Sequence, residues 1–205
     1  MKIPSYYKEY LYMTKIDLNK VETFRTIKKW KKGKILDIGC GIGYLTNFLN
    51  GDGIDKNMSA IKVASSIYPN NNFFNISIRK LPDFLKKFKR NYKTVLCYNL
   101  IEHLSKNERN FLFKTFYKYF DNKTLFIFGY ANPYNFFQLL VGFLRKKVLF
   151  DKTHHFNWTV KEFYKLISEN FEIISFKMTS PFTRLTFITK FIKGDILILA
   201  KLKKL

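Results

Sequence analysis

The stretch Lys34-Ile-Leu-Asp-Ile-Gly-Cys-Gly-Ile-Gly-Tyr-Leu-Thr-Asn-Phe48 limits the fold of this chain more than any other. An apolar run meets three alternating glycines, Gly39, Gly41 and Gly43, and then a segment with Leu45, Phe48 and Leu49 on one helical face. Without a Cβ, glycine lets the backbone turn sharply and approach a ligand closely. The pattern predicts strand, tight turn and helix in direct succession.

The same alternation continues along the chain. Strand signals fall at Lys34–Ile38, Gly51–Asp55, Asn72–Ile76, Thr94–Tyr98, Thr124–Gly129, Phe171–Met178 and Asp195–Leu202, with helical segments between most of them. Ser105-Lys-Asn-Glu108 and Thr159-Val-Lys-Glu162 fit the capping box, in which hydroxyl and Glu satisfy orphan amides reciprocally. Repeated β-α units predict a mostly parallel seven-stranded sheet with helices on both faces. The last two strands lack a full helix between them, which predicts an antiparallel pair at one edge. Residues 1–33 form a basic, partly helical lead-in: Val21, Phe24, Ile27 and Trp30 recur at helical spacing and Gly33 stops the run. The rest, 34–205, is expected to be one domain, with 131–158 as an insert on its substrate side.

At 205 residues the chain is long enough for one α/β domain and short for two. Its 47% hydrophobic content excludes a disordered chain, and no apolar run reaches the roughly 20 residues that span a bilayer. Cys40 and Cys97 are too few for a disulfide framework, which suits two reduced thiols in a cytoplasmic protein. The N-terminus carries no signal-peptide pattern. The charge is lopsided: 37 Lys+Arg against 15 Asp+Glu give +22. That excess favours polyanions, either nucleic acid or an anionic membrane surface where the protein sits peripherally. An AT-rich coding bias, visible in the abundance of Lys, Asn, Ile, Phe and Tyr, accounts for it equally.

The dinucleotide fingerprint needs a third glycine where Tyr44 stands, and the Walker-A loop needs Gly-Lys-[Ser/Thr], which is absent. Asp37, at the end of the first strand, would repel a pyrophosphate. It suits a ligand carrying an ammonium and a sulfonium, as S-adenosylmethionine (SAM) does. A second carboxylate, Asp55, closes the next strand eighteen positions later, where it can accept both ribose hydroxyls.

These residues resemble the class I SAM-dependent methyltransferases from about Gly33 onward. Asp37-Ile-Gly-Cys-Gly-Ile-Gly43 matches their first motif, and Gly53-Ile-Asp55-Lys56-Asn-Met matches the second. Cys97-Tyr-Asn-Leu-Ile-Glu-His103-Leu resembles the stretch after the fourth strand. Ala131-Asn-Pro133, then His154 and Trp158-Thr-Val-Lys-Glu-Phe163, resembles a subgroup acting on small molecules, lipids or sugars. The resemblance implies a Rossmann-like domain that binds SAM. Asp37, Gly39 and Gly41 would contact its methionine part, with Gly43 completing the loop. Asp55, followed by Lys56, would hold the ribose, and Tyr98 and Asn99 would line the cofactor's edge. Where the family commonly places an Asp for the adenine amino group, this chain has Ser77, a weaker neutral partner.

Methyl transfer to a hydroxyl needs a proton acceptor, and His is suited to that near neutral pH. His103 follows the fourth strand, and His154 matches the subgroup's His; local packing is the competing role for both, and His155 has no counterpart. Glu102-His103 alone is too small a set for a metal, so none is expected. Tyr134–Phe150 reads as a basic amphipathic helix, suited to a membrane interface or to covering an apolar acceptor, or else packed on the domain's own core. A small or lipid-like acceptor methylated on oxygen fits these features best. An RNA or DNA methyltransferase stays open on charge, although its [Asp/Asn/Ser]-Pro-Pro-aromatic and Pro-Cys motifs are missing. A non-catalytic SAM-binding surface or interaction protein is the third alternative.

Overall fold

A computed structural model describes residues 11–88, 92–131, 155–179 and 194–203. Seven strands form one sheet: β1 (Lys34–Ile38), β2 (Asp52–Asp55), β3 (Asn72–Asn75), β4 (Tyr92–Tyr98), β5 (Leu125–Ala131), β6 (Phe171–Thr179) and β7 (Asp195–Leu202). Their order is β3-β2-β1-β4-β5-β7-β6. The first five pair in parallel, while β7 runs antiparallel to both β5 and β6. The expected antiparallel pair is therefore present, and its reversed member lies second from the edge. The order turns back at β1 and β4, so the carboxyl ends of these strands flank the crevice where open α/β sheets bind ligands.

Among the described residues six α-helices accompany the sheet: α1 (Glu22–Trp30), α2 (Tyr44–Phe48), α3 (Met58–Ile67), α4 (Leu81–Phe88), α5 (Lys106–Tyr119) and α6 (Val160–Asn170). Alternation along the strands feeds two cores. Leu36, Ile38, Val95, Phe126 and Phe128 pack with Phe84 of α4, Leu112, Phe113 and Phe116 of α5, and Phe163 of α6. Ile35, Leu96, Ile127 and Leu197 point the other way, against Val21, Phe24 and Ile27 at α1 and Leu45 of α2. The lead-in helix thus covers one face of the sheet.

Both predicted capping boxes form. The Ser105 hydroxyl accepts from the Glu108 amide at 3.3 Å, and the Glu108 carboxylate accepts from the Ser105 amide at 2.9 Å. Thr159 and Glu162 repeat the arrangement. Cys40 and Cys97 are free and buried. Among the described residues no helix is long and apolar enough to cross a membrane. The Tyr134–Phe150 helix, Asn132, Pro133 and His154 lie outside the described residues, as does all of the insert except Ala131 and its last four positions.

Candidate functional site

The β1-to-α2 turn forms the floor of the site. Gly39 has φ +79°, and its amide and that of Cys40 both donate to the Ile54 carbonyl, at 2.8 and 3.0 Å. This stitches the loop to β2. Gly43, at φ +78°, precedes α2; a Cβ there would lie 2.5 Å from Cε1 of Phe73 and 3.0 Å from Cβ of Ala64. Its glycine is required by the backbone and by close packing on β3 and α3.

A cavity of about 530 Å³ opens beside this loop. Of the residues expected in the site, Asp37, Gly39, Gly41, Asp55, Lys56, Ser77, Tyr98, Asn99 and His103 all line it. Gly43 does not. His154 falls outside the described residues; His155, beside it in sequence, lines the cavity.

The two carboxylates differ in environment. Asp37 is almost fully buried, and its Oδ2 accepts from the Thr46 hydroxyl at 2.6 Å. Burial pushes its pKa up to about 7; the Thr46 bond opposes the rise and nearby Asp55 adds to it. Asp55 is half-buried; its Oδ2 accepts from the Gly41 amide at 2.9 Å and its Oδ1 from the Asn57 amide at 2.8 Å. Each carboxylate oxygen has a second lone pair. The two amides fix the group's orientation and leave one acceptor site on each oxygen, which matches the two hydroxyls of a ribose. A buried acid for an ammonium, an oriented acid for a diol and a cavity within the usual ligand-site range of about 300–1,000 Å³ fit SAM.

Beyond Asp55 the wall is Ile54, Ile76, Ser77 and Ile78, an apolar slot with one hydroxyl. Ser77 makes no side-chain capping bond to the short 3₁₀ turn Ile78–Lys80 that follows it. Asn99 has φ +49°, and its Oδ1 accepts from the Ala131 amide at 3.0 Å, tying the ends of β4 and β5 together. Tyr98 lines the cavity, and its hydroxyl donates to Asp195 at 3.0 Å. The 3₁₀ turn Ile101–His103 brings half-buried His103 to the cavity wall, which Leu100 and Leu104 also line. His155 reaches the same wall because its amide donates to the Glu102 carbonyl at 2.9 Å. Among the described residues no three potential ligands gather to hold a metal.

Sequence reasoning gave no role at the site to Thr46, Arg79, Leu100, Leu104 or Glu108, although Glu108 was expected in a capping box. A signal existed for Thr46, which is next to Leu45 on the short helix that follows the glycine loop and carries a hydroxyl. None existed for Arg79, whose place depends on the turn after β3.

The profile of the family described as tellurite resistance protein TehB matches residues 1–119, more than half of the chain. No curated protein matches significantly in sequence. Among solved structures, the chain resembles a TehB-like SAM-dependent methyltransferase from Corynebacterium glutamicum. That match has 12% identity and a TM-score of 0.60 over 97% of this chain and 96% of that one. The magnesium protoporphyrin IX methyltransferase of Synechocystis, solved with bound SAH (S-adenosylhomocysteine), matches at 16% identity and TM-score 0.59, over 88% and 82%. The small RNA methyltransferase HEN1 matches at 16% identity and TM-score 0.65, over 89% of this chain but only 24% of that one. At these identities the likeness is one of fold.

Proposed function

The chain belongs to the tellurite resistance protein TehB family, and on that premise we propose that it is a SAM-dependent methyltransferase. Its acceptor is a small or lipid-like molecule methylated on oxygen. One observation carries the reading: Asp37, the glycine loop and an Asp55 with one free acceptor site per oxygen share a single cavity. SAM supplies an electrophilic methyl group on a sulfonium when bound. Asp37 receives the ammonium, Asp55 takes the ribose hydroxyls, and Ile54, Ile76 and Ile78 flank the purine with Ser77 at its edge. Leu100 and Leu104 exclude water at the far wall, and His103 accepts the proton that the acceptor hydroxyl gives up. His154 is retained as an alternative base, and neighbouring His155 shares the wall with His103.

Calorimetry with SAM and SAH tests this reading. Wild type binds both, and Asp55→Ala weakens binding about a hundredfold, the scale of losing two hydrogen bonds to a charged group. Absence of binding to wild type sinks the reading. If SAM binds but no hydroxyl acceptor is turned over, the non-catalytic alternative takes its place. A nucleic-acid acceptor is favoured by one observation, the charge of +22.

A further inference from the structure

A buried polar cluster lies behind the cavity at the same edge of the sheet. Asp195, which opens β7, is 2% exposed, and Thr23 of α1 and Thr179 of β6 are 0% exposed. The Thr23 hydroxyl donates to Asp195 Oδ2 at 2.7 Å and lies 2.8 Å from the Thr179 hydroxyl. The same Oδ2 accepts the Tyr98 hydroxyl at 3.0 Å. Three elements, α1, β4 and β7, thus meet at one carboxylate oxygen, and β6 joins them through the contact of Thr179 with Thr23.

Tyr98 links this cluster to the cavity. Its ring lies where a Cβ on Gly129 of β5 would collide with it, so glycine at that position makes room for the ring. On the other side Phe24 of α1 packs edge-on against Tyr98, centroids 5.9 Å apart, and makes the same contact with Tyr44. Tyr44 and Tyr98 both line the cavity. A buried carboxylate is costly to solvate poorly, and an apolar residue would fill the space at less cost. The interaction it makes toward the site explains its presence.

We infer that Asp195 is a positioning residue: anchored by Thr23 of the N-terminal helix, it holds the Tyr98 hydroxyl and so fixes the aromatic wall against which the cofactor binds. The inference rests on the proposed SAM site. It makes α1 part of the binding apparatus, although none of its residues lines the cavity. Burial raises the Asp195 carboxyl to about 6, with the Thr23 and Tyr98 bonds opposing the rise.

The test measures SAH affinity by calorimetry, with thermal midpoint in parallel, for wild type, Tyr98→Phe, Thr23→Val, Asp195→Asn, Asp195→Ala and the Asp195→Ala/Tyr98→Phe double variant. Tyr98→Phe removes one hydroxyl and keeps the ring. We expect it to weaken SAH binding on the order of three- to tenfold, the scale of one buried hydrogen bond. Asp195→Ala weakens binding at least as much, Asp195→Asn restores part of the loss by supplying an acceptor oxygen, and the double variant is no worse than Asp195→Ala alone. Thr23→Val moves affinity in the same direction from a distance. A purely structural cluster would lower the midpoint and leave affinity unchanged. Tyr98→Phe binding SAH as wild type does would overturn the inference even if Asp195→Ala fails to fold, and additive losses in the double variant would overturn it too. If wild type itself fails to bind SAH, the proposed function falls and this inference with it.

Discussion

Asp37 carries two linked consequences of its burial. With its pKa raised to about 7, part of the population is protonated at neutral pH. A ligand ammonium favours the ionised form, so below pH 7 some binding energy goes to releasing the proton. SAH affinity is therefore expected to fall as pH drops from 7 to 5, by up to about tenfold per unit. Asp37→Asn should bind weakly and without this pH dependence. Calorimetry at pH 6 in buffers of different ionisation enthalpy checks it, because wild type releases protons on binding and the variant does not. A wild-type affinity flat from pH 5 to 8 would contradict it. Stability shows the opposite side of the same shift. Between the unfolded value of 3.8 and about 7 the folded chain holds a proton that the unfolded chain releases. Stability from this group is therefore lost as pH rises through that window. Asp37→Asn should gain on wild type in urea midpoint between pH 4 and 7, with little further change above 7.

At the level of elements, helix α5 begins directly after the wall formed by His103 and Leu104, so its start sets that wall. Its capping box satisfies two orphan amides, and Ser105→Ala should cost about 1 kcal/mol. For a domain of this size that is roughly 2–4 °C in Tm, readable by calorimetry against Ser105→Thr, which keeps the hydroxyl. The two capping boxes were legible in the sequence because capping is local: the donor and acceptor lie three residues apart. Strand positions were legible from period and turn residues, and β1 and β7 have the bounds expected of them. Their misfits have tertiary causes. β4 starts at Tyr92 and not Thr94 because the Tyr92 ring is buried and its hydroxyl reaches Asp52 at 2.7 Å. β5 runs on to Ala131 because it pairs with Asp195 of β7. The motif residues of the site were legible for the same reason as the caps: each acid and glycine stands at a strand end. The contact between Thr23 and Asp195 spans 172 positions, and no periodicity encodes it. The place of His155 at the cavity likewise turns on one backbone bond to Glu102, distant in sequence.

For the molecule as a whole, the excess of positive charge lies at the surface. Asp37, Asp52, Glu102 and Asp195 are buried, whereas no described lysine is. Lys56 and Arg79 add to this at the mouth of the cavity. Such a surface binds polyanions through phosphate contacts whether or not they are substrates, and each contact released by salt contributes about 0.7–0.9 to the slope of log K against log salt. Under the small-acceptor reading, single-stranded RNA and duplex DNA should bind comparably at low salt and both should be lost steeply by 200 mM, with SAH affinity the same with or without them. A nucleic-acid methyltransferase must instead keep a component that survives salt, because base and sugar contacts release no counterions. Fluorescence anisotropy over a salt series separates the two. A salt-resistant preference for one nucleic acid, strengthened by SAH, would move the assignment from a small acceptor to RNA or DNA. Anionic vesicles in the same series decide whether the charge works at a membrane: co-sedimentation that persists at 200 mM needs apolar insertion, whereas loss parallel to that of RNA means the charge alone is responsible.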